Sequence, residues 1–409
     1  MNHQQLIPHL FRTEFRKITA VLTRLFGIEH IEIAEDIASD SFLLAVETWP
    51  YKGIPENPTA WLYNVAKNKA KNYLRHNSIF KNKIAVEIKK ASPDVAEDEI
   101  DLSPGNINDS QLQMMFAICH PSISPEAQIG LSLRILCGFG IDEIADAFLT
   151  NKETINKRLF RAKEKLREEK IKIELPGPAE IDERLATVLR TIYLLFSEGY
   201  YSESRNETIR KELCFEAIRL CTMLVEIKAT NTPEVNALLS LMCFHASRFE
   251  ARITEHGEIV LYDEQDTSLW NNDLISKGGY YLHCASTGNK FSKYHLEAAI
   301  AYWNTRKEDT KEKWENILQL YNRLLQIEYS PVAALNRTYA LSKTKGKPAA
   351  IIEAEKLQLT NNHFYFTLLG ELYANIDNKK AKENFQKAFS IAKTQNDKQI
   401  IQKKIGKLQ

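Results

Sequence analysis

The sequence predicts an all-α protein, and three observations support this fold class. Along most of the 409 residues, apolar side chains recur at positions i, i+3, i+4 and i+7, which is the period of an amphipathic helix. Glycine and proline, the residues that interrupt helices, number only 15 and 13. No segment shows the sustained alternation of apolar and polar residues that is typical of a half-buried strand. A chain of this length is expected to form two or three domains.

The first predicted unit covers residues 1–84. The run IEHIEIAEDIASDSFLLAVETW is expected to form a helix that ends at PYKGIPENP. The prolines and the glycine of that break stop one helix and position the next. The run TAWLYNVAKNKAKNYLRHN then restores the helical period.

The helix at 61–77 combines basic residues, asparagines and aromatic residues, and it contains no acidic residue. Basic side chains bind phosphates, amides hydrogen-bond to base edges, and aromatic rings stack on unpaired bases. Core packing is the alternative for Trp61 and Tyr73. It is favoured for Trp61, which begins an apolar face with Leu62 and Val65. The basic and amide side chains are Lys67, Lys69, Lys71, Arg75, Asn64, Asn68, Asn72 and Asn77.

A polar linker is predicted for residues 85–118. Between Glu87 and Asp109 there are seven acidic residues and two lysines, together with two prolines and a glycine. Such a composition favours an irregular, mobile segment over a packed helix.

The second predicted unit, residues 119–175, contains two short amphipathic runs separated by a polar turn. Asn151 is a good N-cap for the second run, and Ala145 is a small residue where the two helices would cross. This layout is typical of a helix-turn-helix. Between residues 152 and 172 there are nine basic and four acidic residues, an excess that suits a polyanion. A solvated amphipathic helix is the alternative interpretation.

The remaining residues, 176–409, follow the break ELPGPAE and are predicted to be helical again. Part of this segment repeats with a period of 34 residues, which is the period of tetratricopeptide (TPR) helix pairs. Stacked pairs of this kind present concave surfaces to partners, so we expect regulation in cis or the recruitment of a cytoplasmic partner or effector. Leu335, Tyr339, Ile351 and Ala354 recur as Leu369, Tyr373, Phe385 and Ala388.

Two polar-aromatic groups in this last segment admit two interpretations, an effector pocket or a packing and capping role at helix junctions. The second interpretation is the simpler one. The acidic residues lack the spacing of a calcium loop, so no metal is predicted. The first group is Tyr193, Phe196, Tyr200 and Tyr201 around Glu198 and Gly199; the second is Asp263, Glu264, Asp266 and Trp270.

The composition excludes several classes of protein. With 44% hydrophobic and 26% charged residues and a net charge of +1, the chain is typical of a soluble protein. Its six cysteines show no CxxC spacing, which predicts buried thiols in a reducing compartment. There is no apolar run of 18 residues and no signal-peptide pattern, so a cytoplasmic location without membrane contact is expected. We find no catalytic triad, no glycine loop for phosphate and no ligand-spaced histidines, so neither an enzyme nor a cofactor is predicted.

The order of these motifs resembles the extracytoplasmic-function (ECF) sigma factors of bacterial RNA polymerase. The matching stretches are AEDIASDSFLLAVETW, P-x-N-P-x-x-W-L, NKAKNYLR, an acidic linker and TINKRLFRAKEKLR. Downstream, FSEGYY, ELCFEAIRL and DEQDTSLWNNDLI resemble the subgroup with a long TPR-like C-terminal extension. The resemblance implies a region 2 helical bundle in 1–84, a region 4 helix-turn-helix domain in 119–175 and a TPR-like α-helical solenoid in 176–409.

The resemblance also implies roles for the first unit. The helix matching Ala34–Trp49 would dock on the clamp helices of core RNA polymerase, with Asp36, Asp40 and Glu47 as candidate contacts. The segment matching 52–75 would recognise the melted −10 element, where a base flips out of the stack into a protein pocket. The candidate residues there are Asn64, Lys67, Asn68, Lys71 and Arg75, with Trp61 in a structural role.

In the second unit, the helix at 152–167 would enter the major groove of the −35 element. Asn156 and Arg158 are the favoured contacts to base edges, and the lysines the favoured contacts to phosphates. The full set of candidates is Thr154, Asn156, Lys157, Arg158 and Arg161.

The sequence departs from the family pattern at two positions. Many sigma factors have glycine in the turn where this chain has Leu149, and glutamine where it has Ser39. The first departure predicts an altered turn, and the second predicts one weaker contact to polymerase.

The predicted function is therefore that of a transcription initiation factor that binds core polymerase and promoter DNA. One alternative is a helix-turn-helix regulator with a TPR-type partner-binding domain, acting on duplex DNA without polymerase. It would need neither the basic face of 61–77 nor the helix AEDIASDSF. A second alternative is a TPR-type scaffold with a charged N-terminal half.

Overall fold

The computed structural model of the protein describes residues 3–76, 100–148, 150–200, 211–252, 260–288 and 291–408. The all-α prediction is confirmed, because these residues form eighteen α-helices and no strand. The chain divides into two compact units, Met1–Leu195 and Phe196–Gln409. Among the sequence predictions, Asn77, most of the acidic segment before Ile100, Leu149 and Tyr201 lie outside the described residues.

The first unit contains the basic helix and the two runs of the predicted helix-turn-helix. Its core is built on α1, where Phe15, Ile18 and Leu22 are fully buried against α2 and α3. A π-helical stretch, Ser132–Leu136, follows α5. The helices are α1 His3–Phe26, α2 Ile31–Lys52, α3 Pro58–His76, α4 Pro104–Ile118, α5 Pro125–Leu131, α6 Ile141–Ala147, α7 Lys152–Glu168 and α8 Pro178–Tyr200, whose last residues belong to the second unit.

The interpretation of residues 85–118 as a polar linker is wrong over 104–118, which form α4. The Ser103 hydroxyl caps this helix by accepting a hydrogen bond from the backbone N–H of Asn106, and Pro104 occupies the first turn, where its missing N–H costs nothing. Met114 and Phe116 are fully buried. The apolar residues that follow the acids therefore belong to the core of the first unit.

The local predictions for α6 and α7 are confirmed. The side chain of Asn151 caps α7 by accepting a hydrogen bond from the backbone N–H of Thr154 at 2.8 Å. Ala145 is 4% exposed, as expected of a small residue in a packed interface. The predicted inner face of α7 is buried: Ile155, Leu159, Ala162 and Leu166.

The second unit continues with ten more helices. Within its last part, α14 and α15 are followed by α16 and α17, and Gly370 of α16 lies against the ring of Phe385 in α17. A Cβ at Gly370 would come within 2.6 Å of that ring, so the small residue permits the close helix approach. The helices are α9 Lys211–Glu226, α10 Pro233–Ala246, α11 Asn272–Ala285, α12 Lys293–Trp303, α13 Lys311–Ile327, α14 Pro331–Lys345, α15 Lys347–Leu357, α16 His363–Tyr373, α17 Asn378–Ile391 and α18 Gln395–Gly406.

Two further observations concern side-chain burial and hydrophobicity. Five of the six cysteines are buried, and Cys284 is half-buried. Across the described ranges, no helix combines the length and the apolar character that crossing a membrane would require.

Candidate nucleic-acid interface

The candidate residues on α3 form one stripe along the helix. Their spacing of three or four residues places them on a single face, while Leu62, Ala66 and Ala70 on the opposite face are fully buried. Asn64, Asn68 and Arg75 are exposed, and Lys67 and Lys71 are half-buried. The folded structure therefore presents the predicted cationic and amide groups together.

The aromatic residues of α3 hold the helix in place. The Trp61 ring packs edge-on against Trp49 with 5.4 Å between centroids, so the packing interpretation of Trp61 is supported. The Tyr63 hydroxyl donates a hydrogen bond to the Glu14 carboxylate at 2.5 Å. Burial and this carboxylate raise the pKa of Tyr63 well above its usual value, so the hydroxyl keeps its proton.

A pocket of about 380 Å³ lies beside this stripe. One wall is the N-terminal half of α3, and the other is the segment that precedes α4. Hydrogen bonds from Ser103 lower the pKa of the Asp101 carboxyl, and the charge of Lys67 adds to the effect. The pocket is lined by Ala60, Tyr63, Asn64, Lys67, Ile100, Asp101 and Leu102. The last three residues were not predicted from the sequence. The signal that could have indicated them is the apolar pair on either side of Asp101, Ile100 and Leu102.

The candidate polymerase contacts lie on the outer face of α2. Asp36, Asp40 and Glu47 are all exposed. Between them on the same helix, Leu43 and Val46 are 55% and 50% exposed. Acidic and apolar side chains therefore share this exposed face.

One of these acidic residues already has a partner within the chain. The Asp40 carboxylate accepts a hydrogen bond from the Lys69 ammonium of α3 at 3.0 Å. A groove of about 620 Å³ borders the same face and continues to the start of α6. It is lined by Ile7, Pro8, Phe11, Arg12, Ser39, Asp40, Phe42, Leu43, Val46, Gly138, Gly140 and Glu143.

The candidate residues on α7 differ in their accessibility. Thr154, Asn156, Lys157 and Arg161 are exposed. Arg158 is half-buried, and its guanidinium lies over the Phe148 ring at 5.1 Å from the centroid. Asn156 is therefore presented directly to solvent, whereas Arg158 would have to leave the ring to reach a base.

The C-terminal half of α7 is bound to α2. The Lys163 ammonium donates to the Glu35 carboxylate at 2.6 Å, and Arg134 donates to the same carboxylate at 3.1 Å. Arg167 of α7 pairs with Glu32 of α2. Sequence reasoning missed this cluster. The only signal was that Glu35 shares the inner face of α2 with Ile31, Ala34 and Ala38, where a charged residue is unexpected.

Comparison with known protein families agrees with this geometry. Residues 10–79 match sigma-70 region 2, and residues 184–286 match a family of unknown function, DUF6596. The first match contains α2 and α3 with both of their candidate surfaces. A sigma-70 region 2 at this place supports a sigma factor, which is a protein of transcription initiation that binds core RNA polymerase and promoter DNA.

One relative aligns with most of the chain. The chain is 30% identical over 387 residues to Uncharacterized protein R00370 of Rhizobium meliloti (strain 1021), an alignment that covers 93% of this chain and 90% of the relative. The chain belongs to the same family as that protein. No solved structure matches the chain.

Proposed function

We propose that this protein is a sigma factor of the extracytoplasmic-function type with a TPR-like C-terminal extension, which directs bacterial RNA polymerase to specific promoters. The observation that carries the proposal is the stripe of basic and amide side chains on α3, inside the match to sigma-70 region 2. In this account the polymerase supplies the catalytic groups. The protein supplies recognition and stabilises the melted DNA.

Region 2 holds the melted −10 element on α3. Lys67, Lys71 and Arg75 contact phosphates, and Asn64 and Asn68 contact bases. The 380 Å³ pocket beside Asn64 is large enough for one unpaired base, and the Tyr63 ring offers it an aromatic surface. Contacts in this pocket offset the stacking energy that the flipped base loses.

Region 4 binds the −35 element through α7. The N-terminal half of this helix enters the major groove, where Thr154 and Asn156 meet base edges and Lys157 and Arg161 meet phosphates. Arg158 is the second candidate for a base edge. To make this contact, its guanidinium leaves the Phe148 ring and hydrogen-bonds to a guanine, the base that arginine contacts most often.

The outer face of α2 binds core polymerase. Its acidic residues Asp36, Asp40 and Glu47 surround the exposed Leu43 and Val46, an arrangement that suits a partner with a basic rim and an apolar centre.

The C-terminal helices regulate the sigma core or recruit a partner. The test compares the full chain with a chain truncated after Tyr200, at the end of α8, in promoter-dependent transcription. Unchanged activity and unchanged induction in cells would remove the regulatory role.

The second candidate function is a helix-turn-helix regulator that binds duplex DNA without polymerase. The exposed cationic half of α7 supports this function equally well. Such a regulator would, however, need neither the α3 stripe nor the outer face of α2.

Run-off transcription with purified core polymerase distinguishes the two functions. The template is the region upstream of the protein's own gene, because factors of this type often activate themselves. Adding the protein should start transcripts at one position. Specific binding to the same duplex without any start site would favour the regulator.

A further inference from the structure

Arg248, just after α10, is a buried cation that has no counter-ion among the described residues. The residue is 7% exposed, and its Nε is fully enclosed and makes no hydrogen bond. No carboxylate of the described residues lies within ion-pair distance of it. A buried charge is normally paired, because removing it from water costs several kcal/mol. An unsatisfied buried group of this kind calls for an explanation, and a bound ion is one.

Arg248 shares one aromatic ring with two other cations. Its guanidinium carbon lies 5.5 Å from the centre of the Tyr262 ring, and the ammonium groups of Lys307 and Lys313 lie 5.2 and 5.1 Å from the same centre. Lys313 is 2% exposed. Burial lowers the pKa of Lys313; Asp309 and Asp263 act in the opposite direction, and the charges of Arg248 and Lys307 add to the lowering. Positive charge is therefore concentrated at this place.

The two lysines are satisfied by oxygens of the chain, and Arg248 is not. Lys307 donates to three backbone carbonyls, those of Tyr262, Asp263 and Gln265, at 2.7, 3.2 and 3.0 Å. Lys313 donates to the carbonyl of Arg306 at 2.5 Å and to the Tyr262 hydroxyl at 3.0 Å. The lysines thus fix the segment around Tyr262, and Arg248 is left as the group that lacks an acceptor.

Nearby carboxylates do not balance these charges. Asp309 accepts hydrogen bonds from Lys343 at 2.9 Å and from the Trp314 indole, so its charge is already paired. Asp263 is exposed.

A second enclosed donor lies in the same corner. Trp270 is 6% exposed, and its indole N–H has no hydrogen-bond partner. Its ring lies 6.4 Å from that of Tyr262. The backbone N–H of Asn271 donates to the carbonyl of Ser247 at 2.8 Å, which places the residue after Trp270 beside the residue before Arg248. The Arg248 guanidinium and the Trp270 indole thus both lie around the Tyr262 ring, and the Arg248 Nε and the indole N–H each lack an acceptor among the described residues.

We propose that the corner formed by Arg248 and Trp270 binds a small oxyanion, a carboxylate or a phosphate group. The planar guanidinium offers two parallel N–H donors to such a group, the indole N–H offers a third, and the lysines add positive potential. The site lies within the match to the family of unknown function. The C-terminal half would then bind a small molecule that carries such a group. This inference does not depend on the proposed sigma activity.

The test measures anion binding by the full chain, with inorganic phosphate in one arm and acetate in the other at constant ionic strength. Thermal unfolding and titration calorimetry are the two readouts. Saturation with the matching anion should raise the midpoint of the second unit's transition by about 5 °C. Arg248→Met, which keeps most of the volume and removes the charge, should abolish the response. Arg323→Gln, at an exposed arginine of α13 in the same unit, should retain it.

Two results support the proposal and two overturn it. The proposal is supported if phosphate or acetate stabilises the wild-type chain and Arg248→Met removes that effect. The anion that has the effect shows whether the site prefers a phosphate or a carboxylate. If Arg248→Met does not fold, Trp270→Phe should bind about tenfold more weakly than wild type. Equal responses of wild type and variant would show that the binding lies elsewhere. The absence of a wild-type response to both anions at about 10 mM, far above an ordinary effector's Kd, would also overturn the proposal.

Discussion

The ammonium of Lys163 in α7 lies 2.6 Å from the carboxylate of Glu35 in α2, across a sequence separation of 128 residues. The two residues are 9% and 8% exposed. With Arg134 on the same carboxylate, they join the helix proposed for the −35 element to the bundle proposed for the −10 element. The first unit is thus a closed arrangement of the two parts that are proposed to bind DNA.

Breaking this pair from one side should destabilise the first unit. Glu35→Gln leaves the buried Lys163 and the half-buried Arg134 without their shared counter-ion, and breaking a buried pair in this way costs about 3–5 kcal/mol. The free energy of unfolding from urea denaturation measures the effect. Lys165→Gln is the matched control, because Lys165 is exposed on the same helix and pairs within it, with Glu169. Equal effects of the two substitutions would mean that the Glu35 cluster contributes no more than a surface pair.

Promoter binding should separate α7 from α2. The −10 and −35 elements lie about 25 base pairs apart, or about 85 Å along B-form DNA. The path from Asn156 along α7, across the Lys163–Glu35 pair, along α2 to Asp40 and across the Asp40–Lys69 pair to α3 spans no more than about 45 Å. The closed unit therefore cannot contact both elements at once. Distances between spectroscopic labels at Asn72 and Lys157, both exposed, should lengthen when polymerase and promoter are added. An unchanged distance in an active initiation complex would contradict this expectation.

Substitutions that reverse or introduce a charge on the outer face of α2 should weaken binding to core polymerase. Asp36→Lys and Leu43→Asp should each lower the affinity for core polymerase about tenfold or more, because a well-packed interface anchor contributes at least 1–2 kcal/mol. Fluorescence titration with core polymerase measures this affinity. Glu383→Lys on the exposed side of α17 is the control. If both α2 variants bind like wild type, another surface holds the polymerase.

The second unit should lose stability in mild acid through His245. Burial lowers the pKa of His245 well below its usual 6.5, with the charges of Arg248 and Arg252 adding to the effect. The unfolded state therefore binds more protons, and stability falls as the pH drops below about 6.5. Urea midpoints at pH 7.5 and 5.5 should differ less for His245→Gln than for wild type. His283→Gln, exposed on α11, should keep the wild-type difference, and a loss of equal size there would contradict the assignment to His245.

Local features of the fold were predictable because they depend on neighbours in the sequence. The cap at Asn151 and the inner face of α7 follow from short-range hydrogen bonding and helical period. The helix at 104–118 was missed, since the acidic residues before it dominate the composition of the window. The full burial of Met114 and Phe116 in α4 shows that packing in the core determines the structure of this segment.

Features that depend on distant contacts could not be predicted in the same way. The stripe on α3 follows from spacing alone, so its residues were identified. The burial of Glu35 and Lys163 depends on packing between helices far apart in the chain. The same holds for Arg248, whose lack of a carboxylate partner in the described part of the second unit is a property of the folded chain.

The most direct test of the account is run-off transcription with a variant in which Lys67, Lys71, Arg158 and Arg161 are all replaced by alanine. These residues are four of the six cations on α3 and α7 that are proposed to contact promoter DNA. The variant should fold and bind core polymerase, yet lose site-specific initiation. The control replaces lysines of the second unit, Lys356, Lys379, Lys382 and Lys393, and should initiate normally. Site-specific initiation by the first variant at the wild-type level would contradict the account.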